Sequence, residues 1–215
     1  MLSITIEEAR EWYRNADPIH DFEHVLRVLR IAERLARAEG ADIDIVRAAA
    51  WLHDSRGSAP GGEGSSRADH HLTSAQFAGD VLTEKGWPAD RIRAVQHCIR
   101  AHRFRGNHEQ PETIEAKVLF DADKLDVLGA IGVARTIAYA ALDGQPAYAE
   151  PSALFLETGQ KQPAEPHSSY HEFVFKLRKV KNRLFTSSGR QMADARHDFM
   201  VSFYQQLQEE VRGNR

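Results

Sequence analysis

No disulfide can form inside this chain, because Cys98 is its one cysteine. That suits a reducing compartment, so a cytoplasmic location is expected. Long apolar runs are missing too: no stretch reaches the roughly 18–20 apolar residues that a membrane span needs. The opening segment MLSITIEEAREW has no basic stretch followed by an apolar one, so no signal peptide is expected. Charge of one sign is also absent. The chain has 28 Lys and Arg against 31 Asp and Glu, a net charge of −3. This leaves no broad electrostatic footprint for a nucleic-acid backbone or an anionic membrane, so neither is an expected partner. A local basic pocket is compatible with that balance. Strand signals are scarce, with no run of β-branched residues alternating with polar ones. No internal repeat or heptad run stands out.

Helical spacing fills the chain instead. With 215 residues, 42% of them hydrophobic, it is long enough for one all-α domain with an appended helical layer. The expected core covers about 18–142 and the C-terminal helical extension about 165–212. A short helix is expected at about 5–15, ended by Asp17-Pro18, with Asp17 as the next N-cap and Pro18 in the first turn. The helix at about 18–39 carries Val25, Val28, Leu29, Ala32, Leu35 and Ala36 on one face and stops at Gly40. A third helix, IVRAAAWLHD, starts at Asp42 or Asp44 and is apolar nearly all round, which places it at the buried centre. The Gly- and Ser-rich stretch SRGSAPGGEGSSRAD follows as a long loop, of the kind that often serves as a lid. Helices are then expected at roughly 68–86, 88–103, 112–126 and 128–142. An irregular stretch separates them from a closing hairpin at about 167–185 and 188–212.

Eleven histidines is a high number for this length, and their positions matter more than their count. His53 and Asp54 end the apolar third helix, where an uncompensated charge is costly and a metal ion would offset it. A cap and a backbone hydrogen bond would also account for the pair. His20 and His24 are four apart and share a helical face; two histidines at a helix start would look the same. Asp121, Asp123 and Asp126 lie in LFDADKLDVLGAIG, an apolar setting in which carboxylates need partners. A cation is one such partner, and a salt bridge to Lys124 or to an arginine is another.

Taken in order, these elements read H…HD…D, and with their flanks they resemble the HD superfamily of metal-dependent phosphohydrolases. The likeness runs from HDFEHVLRVLRIA through AAAWLHD and SAQFAGDVL to VLFDADKLDVLGAIGVAR. The tail KLRKVKNRLFTSSGRQMADARHDFMVSFYQQLQEE is similar to the same bacterial branch, so the resemblance covers nearly the whole chain. It implies an HD-type helical bundle with a C-terminal hairpin. It also implies a divalent metal held by His24, His53, Asp54 and Asp123, the last because the pattern ADxL falls on Ala122 to Leu125. The mixed imidazole and carboxylate set suits Mn, Mg, Fe, Co, Ni or Zn. In two-metal branches further histidines lie between the HD pair and the last aspartate. His70, four before Ser74-Ala75, and His102 in IRAHRF fit those places, for a second metal or a phosphate contact. His71 and His97 are expected on the surface.

The resemblance further implies hydrolysis of a phosphate ester or anhydride on a small molecule, with a nucleotide favoured, as in a nucleoside triphosphate pyrophosphohydrolase. The metal would make water nucleophilic and polarise a phosphoryl oxygen. His20 stands where related phosphodiesterases carry the acid that protonates the leaving oxygen. Asp54 would bind metal and orient water. Lys124, ahead of Arg103 and Arg27, would steady phosphate charge. The chain departs from branches that place an acidic residue just after the HD pair: Ser55-Arg56-Gly57 stands here, which sets Arg56 near the substrate phosphates and leaves the base open. Trp51 and Trp87 read as packing residues. The competing reading is a metal-stabilised module that senses a nucleotide without turnover, and a di-iron HD oxygenase would need His70 and His102 as ligands.

Overall fold

The computed structural model describes residues 3–14, 22–56, 70–103 and 109–214. Within them lie ten α-helices and one 3₁₀ segment, with no strand. The all-α class is therefore as expected. Asp17, Pro18 and most of the Gly- and Ser-rich loop, residues 57–69, lie outside the described residues. Among the described residues no single helix is long and apolar enough to cross a membrane.

The chain divides into two compact units, residues 1–125 with 185–189 and residues 126–184 with 190–215. In the first, α1 (Ile6–Trp12) opens with a capping box. Thr5 accepts from the Glu8 amide at 3.2 Å, and Glu8 accepts from the Thr5 amide at 2.8 Å. α2 (Phe22–Glu39) buries Val25, Val28, Ala32, Leu35 and Ala36 of the stripe foreseen from spacing, while Leu29 at its edge is half-buried. Gly40 follows it with φ +72°, the left-handed stop that glycine adopts without strain. α3 (Ile43–Leu52) is capped by Asp42, whose carboxylate takes the amides of Asp44 and Ile45 and a two-pronged grip from Arg91 at 2.8 and 2.9 Å. Its residues Ala48 to Leu52 are all buried. Trp51 stacks on Phe22 with centroids 6.0 Å apart, so it is a packing residue, and Trp87 is half-buried with Arg91 over its ring.

α3 packs against α2, α4 (His70–Glu84), α5 (Ala89–Ala101) and α6 (Ile114–Leu125), and α2 also packs on α6. The buried Asp121 carboxylate of α6 receives the amides of Phe185 and Thr186 at 2.9 and 2.7 Å and the Thr186 hydroxyl at 2.6 Å. A side chain at Gly189 would run into that carboxylate, with a Cβ only 2.5 Å from its oxygen.

In the second unit α7 (Gly129–Leu142) opens beside a buried ion pair, Arg135 to Asp126 at 2.6 Å. α8 (Ala153–Thr158) and α9 (Ser169–Phe175) are joined through Glu165, which accepts from the Ser152 amide and hydroxyl and the Gln162 amide. A helix was expected over about 167–185. Instead α9 stops at Lys176 (φ −122°, ψ −58°) and the chain tightens into a 3₁₀ segment, Leu177–Arg183. α10 (Ser187–Val211) completes the hairpin, with Phe173 of α9 stacked 4.4 Å from Tyr204 of α10. α8 is the one helix that the expected irregular stretch contains.

Candidate metal centre

Five helices in the first unit bring their ends or first turns to one place. His24 comes from the first turn of α2, His53 and Asp54 from the end of α3, His70 from the start of α4, His102 from the end of α5 and Asp123 from α6. His53 and His102 are set by the same local device. Each is the C-cap of its helix, and each ring turns back so that Nδ1 meets the carbonyl three residues earlier, Ala50 at 2.9 Å and Ile99 at 2.5 Å. A ring nitrogen facing a carbonyl must carry the proton, so Nε2 is left as a lone pair directed inward.

The donor atoms form two groups, each with two imidazoles and one carboxylate, and within each the atoms lie inside 4.8 Å of one another. His24, His53 and Asp123 make the first; Asp54, His70 and His102 make the second. Asp54 touches both. Its Oδ2 is 3.6 Å from His53 Nε2 and 4.0 Å from His24 Nε2, while its Oδ1 is 3.3 Å from His70 Nε2 and 3.4 Å from His102 Nε2. His24 Nε2 is 3.6 Å from Asp123 Oδ1, whose other oxygen is held by Lys124 Nζ at 2.5 Å. The rings of His53 and His102 meet edge to face at 5.3 Å.

This arrangement is short of positive charge. Among the described residues, His53 Nε2 and Asp54 Oδ1 are buried polar atoms without a hydrogen-bond partner. Acceptors thus face acceptors, which costs free energy unless a cation lies among them. Burial raises the Asp54 carboxyl and any proton carried by His53, His102 or His70 lowers it, with the balance well below the ordinary carboxylate range, so Asp54 is ionised and a cation at this place answers it as those protons would. Asp123 is likewise raised by burial and lowered further by Lys124 and His24, so it is ionised. Burial pushes His102 down, against the pull of Asp54, which keeps its imidazole neutral and able to ligate. The donor set fits a divalent metal on chemistry and on geometry.

The comparisons with known proteins agree. The HD domain family model matches residues 21–128, half of the chain, from just before α2 to just after α6. The chain belongs to the HD-domain family. Its enzyme class is the one the resemblance implied, an HD-type metal-dependent phosphohydrolase. The Bacillus subtilis protein YpgQ is 30% identical over 214 residues, 96% of this chain and 94% of that one. Its crystal structure in complex with ADP superposes with a TM-score of 0.73 at 28% identity, over 97% of this chain and 99% of that one. An HD-superfamily hydrolase from Bacillus thuringiensis gives a TM-score of 0.71 at 29% identity, over 96% and 94% of the two chains.

The expected residues fare as follows. His24, His53, Asp54, Asp123, His70 and His102 come together. Lys124 joins them through Asp123. His20 lies outside the described residues. Arg56 is exposed and rests over the Phe77 ring at 3.7 Å, with its amide held by Ser74 Oγ at 3.1 Å. Two expectations need correcting. His71 is buried, not superficial, because it shares the inward face of α4 with Ser74, Ala75 and Ala78. His97 is half-buried, with Glu109 at 2.5 Å and the Glu112 amide at 3.2 Å. Sequence reading also passed over Tyr13, whose buried hydroxyl donates to the Trp51 carbonyl at 2.9 Å, just before the HD pair. No spacing rule flags that residue.

Proposed function

We propose that this chain hydrolyses nucleoside phosphates, with His24, His53, Asp54 and Asp123 holding one divalent cation and His70 and His102 holding a second that shares Asp54. The observation that carries this reading is the Asp54 carboxylate, whose two oxygens face two different His-rich groups. A cation bound there supplies Lewis acidity, polarising a phosphoryl oxygen and making water nucleophilic near neutral pH. Each residue then has a definite task. His53 and His102 present lone pairs already oriented by Ala50 and Ile99. Lys124 fixes one oxygen of Asp123, so that the other points at His24. Arg56, stacked on Phe77 beside the HD pair and with no ion-pair partner among the described residues, is a phosphate contact. His20 is the proposed donor of a proton to the leaving oxygen.

A nucleotide is favoured because YpgQ, matched over nearly its whole length, was crystallised with ADP. Nucleoside triphosphates cleaved to monophosphate and pyrophosphate are the preferred substrates. Metal-stripped protein titrated with Mn²⁺, Mg²⁺, Co²⁺, Ni²⁺ and Fe²⁺ against nucleoside mono-, di- and triphosphates tests this, with phosphate and pyrophosphate scored separately. The reading expects metal-dependent product that falls by at least about 10³-fold in Asp54→Ala. Tight metal binding without any turnover would leave the nucleotide-sensing alternative in its place.

A further inference from the structure

The second unit contains a cleft of about 490 Å³ between α9, the 3₁₀ segment and α10. None of the metal-centre residues belongs to this unit. The floor is aromatic: Phe173 and Tyr204 stack at 4.4 Å, and Tyr170 lies 5.7 Å from Tyr204. Phe173 and Tyr204 are almost wholly buried, so their rings are fixed by packing, whereas Tyr170 is half-exposed to the cleft. The rim is basic, with Arg178, Lys179 and Lys181 contributed by one turn and a half of the 3₁₀ segment.

The rim cations are not consumed by their surroundings. Arg178 is exposed and has no ion-pair partner among the described residues. Lys179 stands over the Phe175 ring at 5.0 Å, and Lys181 makes a loose 3.4 Å contact with Asp194. His197 completes the wall. Its Nδ1 is buried and meets no hydrogen-bond partner among the described residues. The carboxylates facing this histidine are Asp194 and Asp198, both on α10. Even so, burial and then the charges of Lys181 and Arg178 push its imidazole down. An aromatic floor, a cationic rim and an unanswered imidazole nitrogen together describe a receptor for a flat molecule that carries an anion.

We propose that this cleft binds a nucleoside phosphate, its base laid along Tyr170 and its phosphate between Arg178, Lys181 and His197. The volume of about 490 Å³ lies in the range of small-molecule sites and suits one such molecule. Asn182 and Gln205 on the rim offer the hydrogen bonds that a base or ribose needs. The site is additional to the hydrolytic one and makes the second unit a nucleotide-responsive part of the chain.

The test is calorimetric titration of the full chain with AMP in EDTA, paired with ¹³C-imidazole NMR in which His197→Gln assigns the His197 resonance. Wild type and Asp54→Ala should bind alike and shift the His197 signal. Arg178→Ala/Lys181→Ala should bind at least about tenfold more weakly, the loss of charge-assisted hydrogen bonds to phosphate. Arg178 is exposed and Lys181 half-exposed, so circular dichroism should show an unchanged fold. The proposal is overturned if Asp54→Ala abolishes binding while the double variant matches wild type. An unmoved His197 signal overturns it too, and so does inorganic phosphate binding as tightly as AMP, since the aromatic floor would then play no part. Hydrolysis at the metal centre is scored by its own assay, so failure of either reading is visible without the other.

Discussion

Asp121 and Asp123 sit two residues apart on α6, and a helical rotation of about 200° turns them to opposite sides. Asp121 is wholly buried and takes three hydrogen bonds from Phe185 and Thr186. Asp123 faces His24 and Lys124. Their surroundings in the sequence are the same apolar run, so spacing alone does not say which is structural; the resemblance to the HD pattern selected Asp123. The pair gives a matched experiment. In EDTA, Asp121→Asn places an amide group against backbone donors and should lower stability by about 2 kcal/mol, while Asp123→Asn should cost less than about 1 kcal/mol. With Mn²⁺ added the order reverses: Asp121→Asn should keep the metal-dependent rise in Tm and Asp123→Asn should lose most of it. Urea melts in EDTA measure the first pair of values, and thermal melts with and without Mn²⁺ measure the second. Equal responses of the two variants would contradict the assignment. His71 shows how more of the residue scale was legible, since positions 71, 74, 75 and 78 already mark one helical face. Tyr13 shows the opposite limit, because its partner Trp51 is 38 residues away.

Among the elements, long helices were readable because caps and apolar stripes coincide. Asp42, the α2 stripe and Gly40 all work locally as their residue types require. α8 escaped because six residues are fewer than two helical turns, too few for periodicity to register. It is held instead by Ser152 at its start and by Phe155 packed 4.7 Å from His171. The break after α9 escaped for another reason: Leu177 and Val180 keep an i, i+3 spacing that serves a 3₁₀ segment as well as an α-helix. Glu165 is the tie that holds this region, and it makes a pH prediction. The amides of Ser152 and Gln162 pull its carboxyl from the ordinary 4.5 down to about 2. A depressed folded-state value means that the stabilisation is complete above the unfolded value and disappears as pH falls through the folded one. Wild type should therefore melt above Glu165→Gln at pH 6, with the gap narrowing from about pH 5 downward and closing near pH 2. A gap independent of pH would show that the charge of Glu165 does not matter.

For the whole molecule, a chain of net charge −3 concentrates its electrostatic demand at one buried place, where acceptors outnumber the cations able to answer them. The fold of the HD-domain family explains how this comes about: helix ends, with backbone groups that need partners, are gathered around side chains that need a metal. The types and order of the candidate ligands that the fold gathers were legible in the sequence, because a metal site restricts residue choice. The sharing of Asp54 between two groups was not, since it depends on how the ends of α2, α3, α4 and α5 meet. The most direct test is a count of metal. Equilibrium dialysis against Mn²⁺ with elemental analysis should find two ions per chain in the wild type. It should find one in His70→Ala/His102→Ala, and none held tightly in Asp54→Ala. One ion in wild type that persists unchanged in His53→Ala and Asp54→Ala would contradict the account.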